Sequence, residues 1–139
     1  MPKGKVLTIV TLAGALAACS PEHAAPQAIP VAPAADSGER IYSGNCVPCH
    51  QQTGTGIPGM TPSLAGSPVV LGDPAELARW VVKGQRPVSM PEGRYSMQML
   101  QFGWMKPADA AALLTYLRSS FGNSGTAVNA AAVAQALGQ

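Results

Sequence analysis

Three stretches of the chain carry apolar residues at helical spacing, and each is bounded by start and stop signals. The clearest begins at Asp73-Pro74-Ala75-Glu76, with Asp as N-cap, Pro at the first helical position and Glu in the first turn. It predicts a helix from Pro74 to a stop at Gly84, with Leu77, Trp80 and Val81 on one face. A second runs from Pro107 to about Phe121, with Ala110, Leu113, Leu114 and Leu117 as its stripe, Tyr116 beside it, and Gly122-Asn123 as its stop. Earlier in the chain, Asp36 or Ser37 caps a helix over Gly38 to Asn45 that leads directly into Cys46. No segment alternates as a half-buried strand does, so the expected class is all-α. Between the helices lie two Gly/Pro-rich loops, Gln51 to Gly72 and Gln85 to Gly103. Loops of about 20 residues count against a compact fold unless they wrap a ligand.

The N-terminus reads as a processing signal. Lys3 and Lys5 precede an uncharged apolar run, Val6 to Ala18. That run is shorter than the roughly 20 residues a bilayer span needs, but suits a signal-peptide core. Its end, Leu16-Ala17-Ala18-Cys19, resembles a bacterial lipobox, which implies a signal peptide over 1–18, cleavage before Cys19, and lipid on that cysteine. Plain secretory cleavage with an incidental cysteine is the alternative. Ser20 to Ala35 hold Pro21, Pro26, Pro30 and Pro33 and almost no charge, so 19–35 is expected to be a lipid anchor and tether. His23 lies in it.

The foldable sequence is then about 36–123, followed by an Ala-rich tail, 124–139, that can form a short helix but is expected to be loosely held. A domain of that size is marginal for an apolar core, and this one has only two Phe, two Trp and three Tyr in the whole chain. Such a composition calls for a staple, a metal or a cofactor. Charged residues are 12% of the chain, and the net charge of +2 sits in Lys3 and Lys5, the remainder balancing. A nearly neutral body lacks the clustered basic face that nucleic acid requires. Arg79, Lys83, Arg86, Arg94 and Lys106 form either a docking face for an acidic partner or a scattered solvated surface.

Cys46-Val47-Pro48-Cys49-His50 is the strongest chemical signal. Cys-x-x-Cys-His is the attachment pattern of c-type haem. Cysteines three apart face one side of a helical turn, so their sulfurs can form thioethers with two vinyl groups of one porphyrin, and the next residue turns its imidazole to the iron. A thioredoxin-like pair would need a preceding strand, and a structural zinc would need two more ligands. A Cys46–Cys49 disulfide would close too short a loop to stabilise the domain much.

With this motif the chain resembles the class I, monohaem cytochromes c over roughly Asp36 to Asn123. Gly38-Glu-Arg-Ile-Tyr42 looks like the family's N-terminal helix, with Gly38 allowing close contact and Tyr42 packing on the last helix. Pro62-Ser-Leu64-Ala-Gly66 is similar to its Pro-x-Leu-x-Gly segment. The resemblance implies that the Pro62 carbonyl accepts a hydrogen bond from His50, that Leu64 packs on the porphyrin, and that three to five helices wrap one covalent haem c. It also implies a second axial ligand. Met99-Leu-Gln-Phe102-Gly103 resembles the family's Met-Pro-x-Phe-Gly segment, with Leu100 where the proline belongs. Met97, Met90 and Met105 are the alternatives to Met99, and Met60 lies close to the proximal side of the chain. His50 is the only histidine after the tether, which disfavours bis-histidine ligation.

With both axial positions filled, the implied role is single-electron transfer rather than catalysis. The segments Ile57 to Gly66, Gly72-Asp-Pro74, Tyr95 to Gly103 and Tyr116 to Asn123 look most like cytochromes serving membrane-bound alcohol, aldehyde or sugar dehydrogenases. The expected protein is a lipid-anchored carrier on the periplasmic side of a bacterial inner or outer membrane. Its expected partners are a dehydrogenase, an oxidase or another cytochrome. The rival is a haem sensor or enzyme with an open sixth position.

Overall fold

The computed structural model describes Met1 and residues 35–90 and 94–139. The expected signal peptide, Cys19 and the tether lie outside these residues. Among the described residues there are six helices and no strand, only an isolated bridge between Ile57 and Thr61. None of these helices is long and apolar enough to cross a membrane.

Helix α1, Ala35–Asn45, passes through Cys46 into the four-residue α2, Val47–His50. The Cys46 N–H donates to the Tyr42 carbonyl and the His50 N–H to the Cys46 carbonyl, both at 2.8 Å, so the cysteine motif continues the helical path. Helix α3, Pro68–Leu71, is a single turn capped by Ser67. Helix α4, Pro74–Lys83, follows the sequence signals: the Asp73 carboxylate accepts from the Ala75 N–H at 2.9 Å, and Gly84 ends the helix in the left-handed region at φ 67°. Helix α5, Pro107–Ser119, stops two residues before Phe121, which takes a positive φ.

α1 and α5 cross at Gly38, where a β-carbon would collide with the Ala112 carbonyl and with the β-carbon of Tyr116. Tyr42 is wholly buried one turn later, with its ring 5.5 Å from that of Tyr116 and 5.1 Å from that of Phe121. The predicted stripe of α5 is buried, but Ala111, Ala112 and Arg118 are buried too. The reason is packing on two sides, α1 against one face and the C-terminal segment against another.

That segment corrects the expectation of a loosely held tail. Residues 130–137 form α6, Ala130–Leu137, capped by Asn129, whose side chain accepts from the Ala131 N–H at 2.7 Å. It lies on α4 and α5 and buries Val133 and Leu137, with Val128 on the approach. The Lys83 ammonium donates to the Leu137 carbonyl at 2.5 Å, placing a cation at the negative end of α6. Arg118 ties down the approach as well. Its guanidinium donates to the carbonyls of Val70, Gly72 and Thr126 at 2.7 to 3.0 Å, so a buried cation is held among carbonyl dipoles.

Candidate haem site

The long loop from Gln51 to Ser67 folds back on the cysteine motif through its own hydrogen bonds. Gly54, at φ 69°, sits against the Phe121 ring, and the Leu64 N–H donates to the Gly54 carbonyl at 2.7 Å. The Gly56 N–H donates to the His50 carbonyl at 3.0 Å. Gly56 lies so close to the Thr61 and Pro62 carbonyls that no β-carbon fits there. These contacts carry Pro62 to the motif, where His50 Nδ1–H donates to the Pro62 carbonyl at 3.1 Å.

His50 is 7% exposed. Burial lowers its pKa from 6.5, and the bond to Pro62 opposes that only in part. With Nδ1 carrying the proton, Nε2 keeps its lone pair and is the nitrogen able to bind a metal. Cys46 is buried and Cys49 half-buried, and the two are not joined to each other. Burial pushes the Cys46 thiol up to about 11, with Cys49 adding to the effect, so the sulfur is held neutral. Among the described residues no group of three or more His, Cys, Asp or Glu side chains is gathered to hold a metal ion.

A family model for cytochrome c matches residues 35–121. The chain belongs to the cytochrome c family. Its relatives include the cytochrome c subunit of a quinone-dependent alcohol dehydrogenase from Gluconobacter oxydans (strain 621H), 32% identical over 92 residues. That alignment takes in 64% of this chain and 19% of the subunit, so the chain spans about a fifth of that relative. Cytochrome c-552 of Thermus thermophilus is also 32% identical over 92 residues, with 63% of this chain and 70% of the relative covered.

Cytochromes c carry haem c through two thioethers, and Cys46 and Cys49 are the pair that fits the attachment motif. The donor set suits that group: two thiols separated by one helical turn, then a buried imidazole with one nitrogen engaged and the other available. The all-α architecture is that of a class I cytochrome c, and members of the family carry electrons.

The methionines of this cytochrome c occupy different environments. Met105 is buried in the core, as a gap-filling side chain is. Met60 and Met97 are exposed and adjacent, since the Met97 N–H donates to the Met60 carbonyl at 3.1 Å and the Ser96 N–H to the Gly59 carbonyl at 3.1 Å. The two long loops therefore meet. Met90 is half-buried, and Pro91 after it lies outside the described residues. Met99 is half-buried against the core beside Phe102, whose N–H donates to the Val81 carbonyl at 3.0 Å. Leu100, standing where the family has proline, is 73% exposed.

Three residues support the site through hydrogen bonds that no sequence motif marks. The Thr61 hydroxyl donates to the Cys49 carbonyl at 2.6 Å. Asn123, which reads as a helix stop, is buried and bonds in three directions: its amide donates to the carbonyls of Leu64 and Leu117, and its oxygen accepts from the Gly66 N–H at 2.8 Å. Tyr42 donates from its hydroxyl to the Gln51 carbonyl at 2.5 Å, beside the histidine. A polar residue among apolar neighbours at the edge of a motif is the only available sequence signal, and it is shared by many residues that do nothing comparable.

Proposed function

We propose that this cytochrome c is a lipid-anchored periplasmic carrier that passes single electrons between a membrane-bound respiratory dehydrogenase and a downstream acceptor. Cys46 and Cys49 would hold the porphyrin, His50 and Met99 would ligate its iron, and Leu64 would pack on the ring. Cys19 carries the lipid. The observation that carries the ligand assignment is the Pro62–His50 hydrogen bond, which orients the imidazole and increases its basicity. Met99 is favoured among the methionines because it is half-buried against the core in a segment tied at Phe102 to the Val81 carbonyl of α4 and leading into α5.

With His50 and Met99 both ligating, the iron would keep no site for substrate, and the group would supply single-electron exchange rather than bond chemistry. A thioether is a neutral, soft donor and raises the potential relative to a second nitrogen ligand. Similarity to the cytochrome c subunit of a quinone-dependent alcohol dehydrogenase supports a dehydrogenase as the donor.

Fractionation of the native host tests the anchor and the partner together. The mature chain should begin at an acylated Cys19 and leave the membrane only with detergent, whereas a Cys19→Ala variant should lose the anchor. The haem in isolated membranes should become reduced when an alcohol, aldehyde or sugar oxidised by a membrane dehydrogenase is added. An unacylated, freely soluble mature protein would contradict the anchor, and haem that stays oxidised would contradict the partner.

A further inference from the structure

Two adjacent residues of the cysteine motif, Cys49 and His50, are bonded to two adjacent residues of the following loop, Thr61 and Pro62. The Thr61 side chain is 6% exposed. Its hydroxyl uses both of its capacities, donating to the Cys49 carbonyl at 2.6 Å and accepting from the Ile57 N–H at 2.8 Å. The Ile57 and Thr61 backbones also exchange hydrogen bonds, at 2.9 and 3.2 Å, so the turn that delivers Pro62 is closed on itself.

We propose that Thr61 is a positioning residue that, by clamping the Cys49 carbonyl, sets the direction of the Pro62 carbonyl and through it the orientation and basicity of the His50 imidazole. This rests on the reading of His50 as the iron ligand. One hydrogen bond fixes the distance between two segments but leaves them free to swing. A second bond one residue away fixes their angle. The Gly56 contact with both the Thr61 and Pro62 carbonyls prevents that peptide from being displaced towards the loop interior. An imidazole that donates well from Nδ1 is a stronger donor at Nε2 and favours ferric over ferrous iron. Loosening the clamp therefore raises the reduction potential, even though Thr61 lies two bonded steps from the nitrogen concerned.

The test compares Thr61→Val, which keeps the shape and removes the hydroxyl, with Thr61→Ser, which keeps the hydroxyl, in the covalently loaded protein. Val133→Ala serves as a control that loosens the core on α6. Thr61→Val should raise the ferrous-to-ferric ratio at fixed potential about threefold, which is about 28 mV at 59 mV per tenfold for one electron. Proton NMR should show the His50 Nδ1–H exchanging with solvent about tenfold faster. Thr61→Ser and Val133→Ala should match the wild type in both readouts. Where Thr61→Val accumulates poorly, Thr61→Ala should show the same two shifts. Hydroxyl-free variants that leave both readouts unchanged would overturn the role of Thr61, as would a Thr61→Ser or Val133→Ala shift of equal size. A wild-type chain without c-type haem absorption would overturn the His50 reading itself, an outcome distinct from a coloured protein indifferent to Thr61.

Discussion

The Gly38 α-carbon of α1 lies against the Ala112 carbonyl of α5, with no room for a methyl group between them. Two effects compete at this position. Alanine in place of glycine inside a helix normally stabilises by up to about 1 kcal/mol. Here the added carbon meets backbone, which has no rotamer to yield, and overpacking of that kind costs about 1–3 kcal/mol. Gly38→Ala is therefore expected to destabilise, and denaturant midpoints of the loaded protein measure it. A stabilised variant would mean that the helices do not cross this closely.

Tyr42 predicts a pH dependence. Burial, with Cys46 and Tyr116 adding, pushes its hydroxyl from 10.0 up to about 12. Between those values the unfolded chain has released the proton and the folded chain keeps it, so the folded state binds more protons and stability falls as pH rises. The contribution is fully present below pH 10 and is lost towards pH 12. Tyr42→Phe gives up the bond to the Gln51 carbonyl, a loss of about 1–3 kcal/mol for the acceptor left behind. The stability difference between wild type and Tyr42→Phe should shrink above pH 10, which urea midpoints between neutral pH and pH 12 will record. A difference that stays constant would place the tyrosine in water, and one that widens would reverse the sign of the shift.

Helix α6 should contribute stability without touching the cofactor's properties. Leu137 is buried against α4 and α5, and Leu137→Ala is expected to cost about 2–4 kcal/mol. For a domain of this size that lowers the melting temperature by roughly 10 °C or more. The visible spectrum and potential should stay unchanged, because α6 packs on α4 and α5 and not on the cysteine motif. Calorimetry paired with optical spectroscopy tests both halves, and an unmoved melting temperature would mean that the tail is not docked.

What was legible in the sequence follows from how local each determinant is. The Asp73-Pro74 start and Gly84 stop of α4 are contained in a dozen residues, and both appear in the structure where the signals place them. The cysteine motif is equally local, and so is the Pro62 segment once the family is recognised. The α6 docking is not local. An Ala-rich tail with two well-spaced apolar residues has little to recommend it alone, and two of its partners, Lys83 and the outer face of α4, lie far away in the sequence. Burial of Arg118 is hidden for the same reason: a terminal arginine normally reads as solvated, and only the carbonyls of Val70, Gly72 and Thr126 make its burial tolerable. Thr61 and Asn123 join segments 12 or more residues apart, and neither side chain announces this.

The ferric optical spectrum of the purified, mature protein tests the central claim most directly. A six-coordinate iron held by His50 and Met99 should show a weak far-red band from the sulfur–iron bond and should not bind carbon monoxide when reduced. Met99→Ala should abolish the band and admit carbon monoxide, while Met97→Ala and Met90→Ala should retain the wild-type spectrum. A wild-type protein that lacks the band and binds carbon monoxide, or a Met99→Ala variant that keeps the band, would contradict the account.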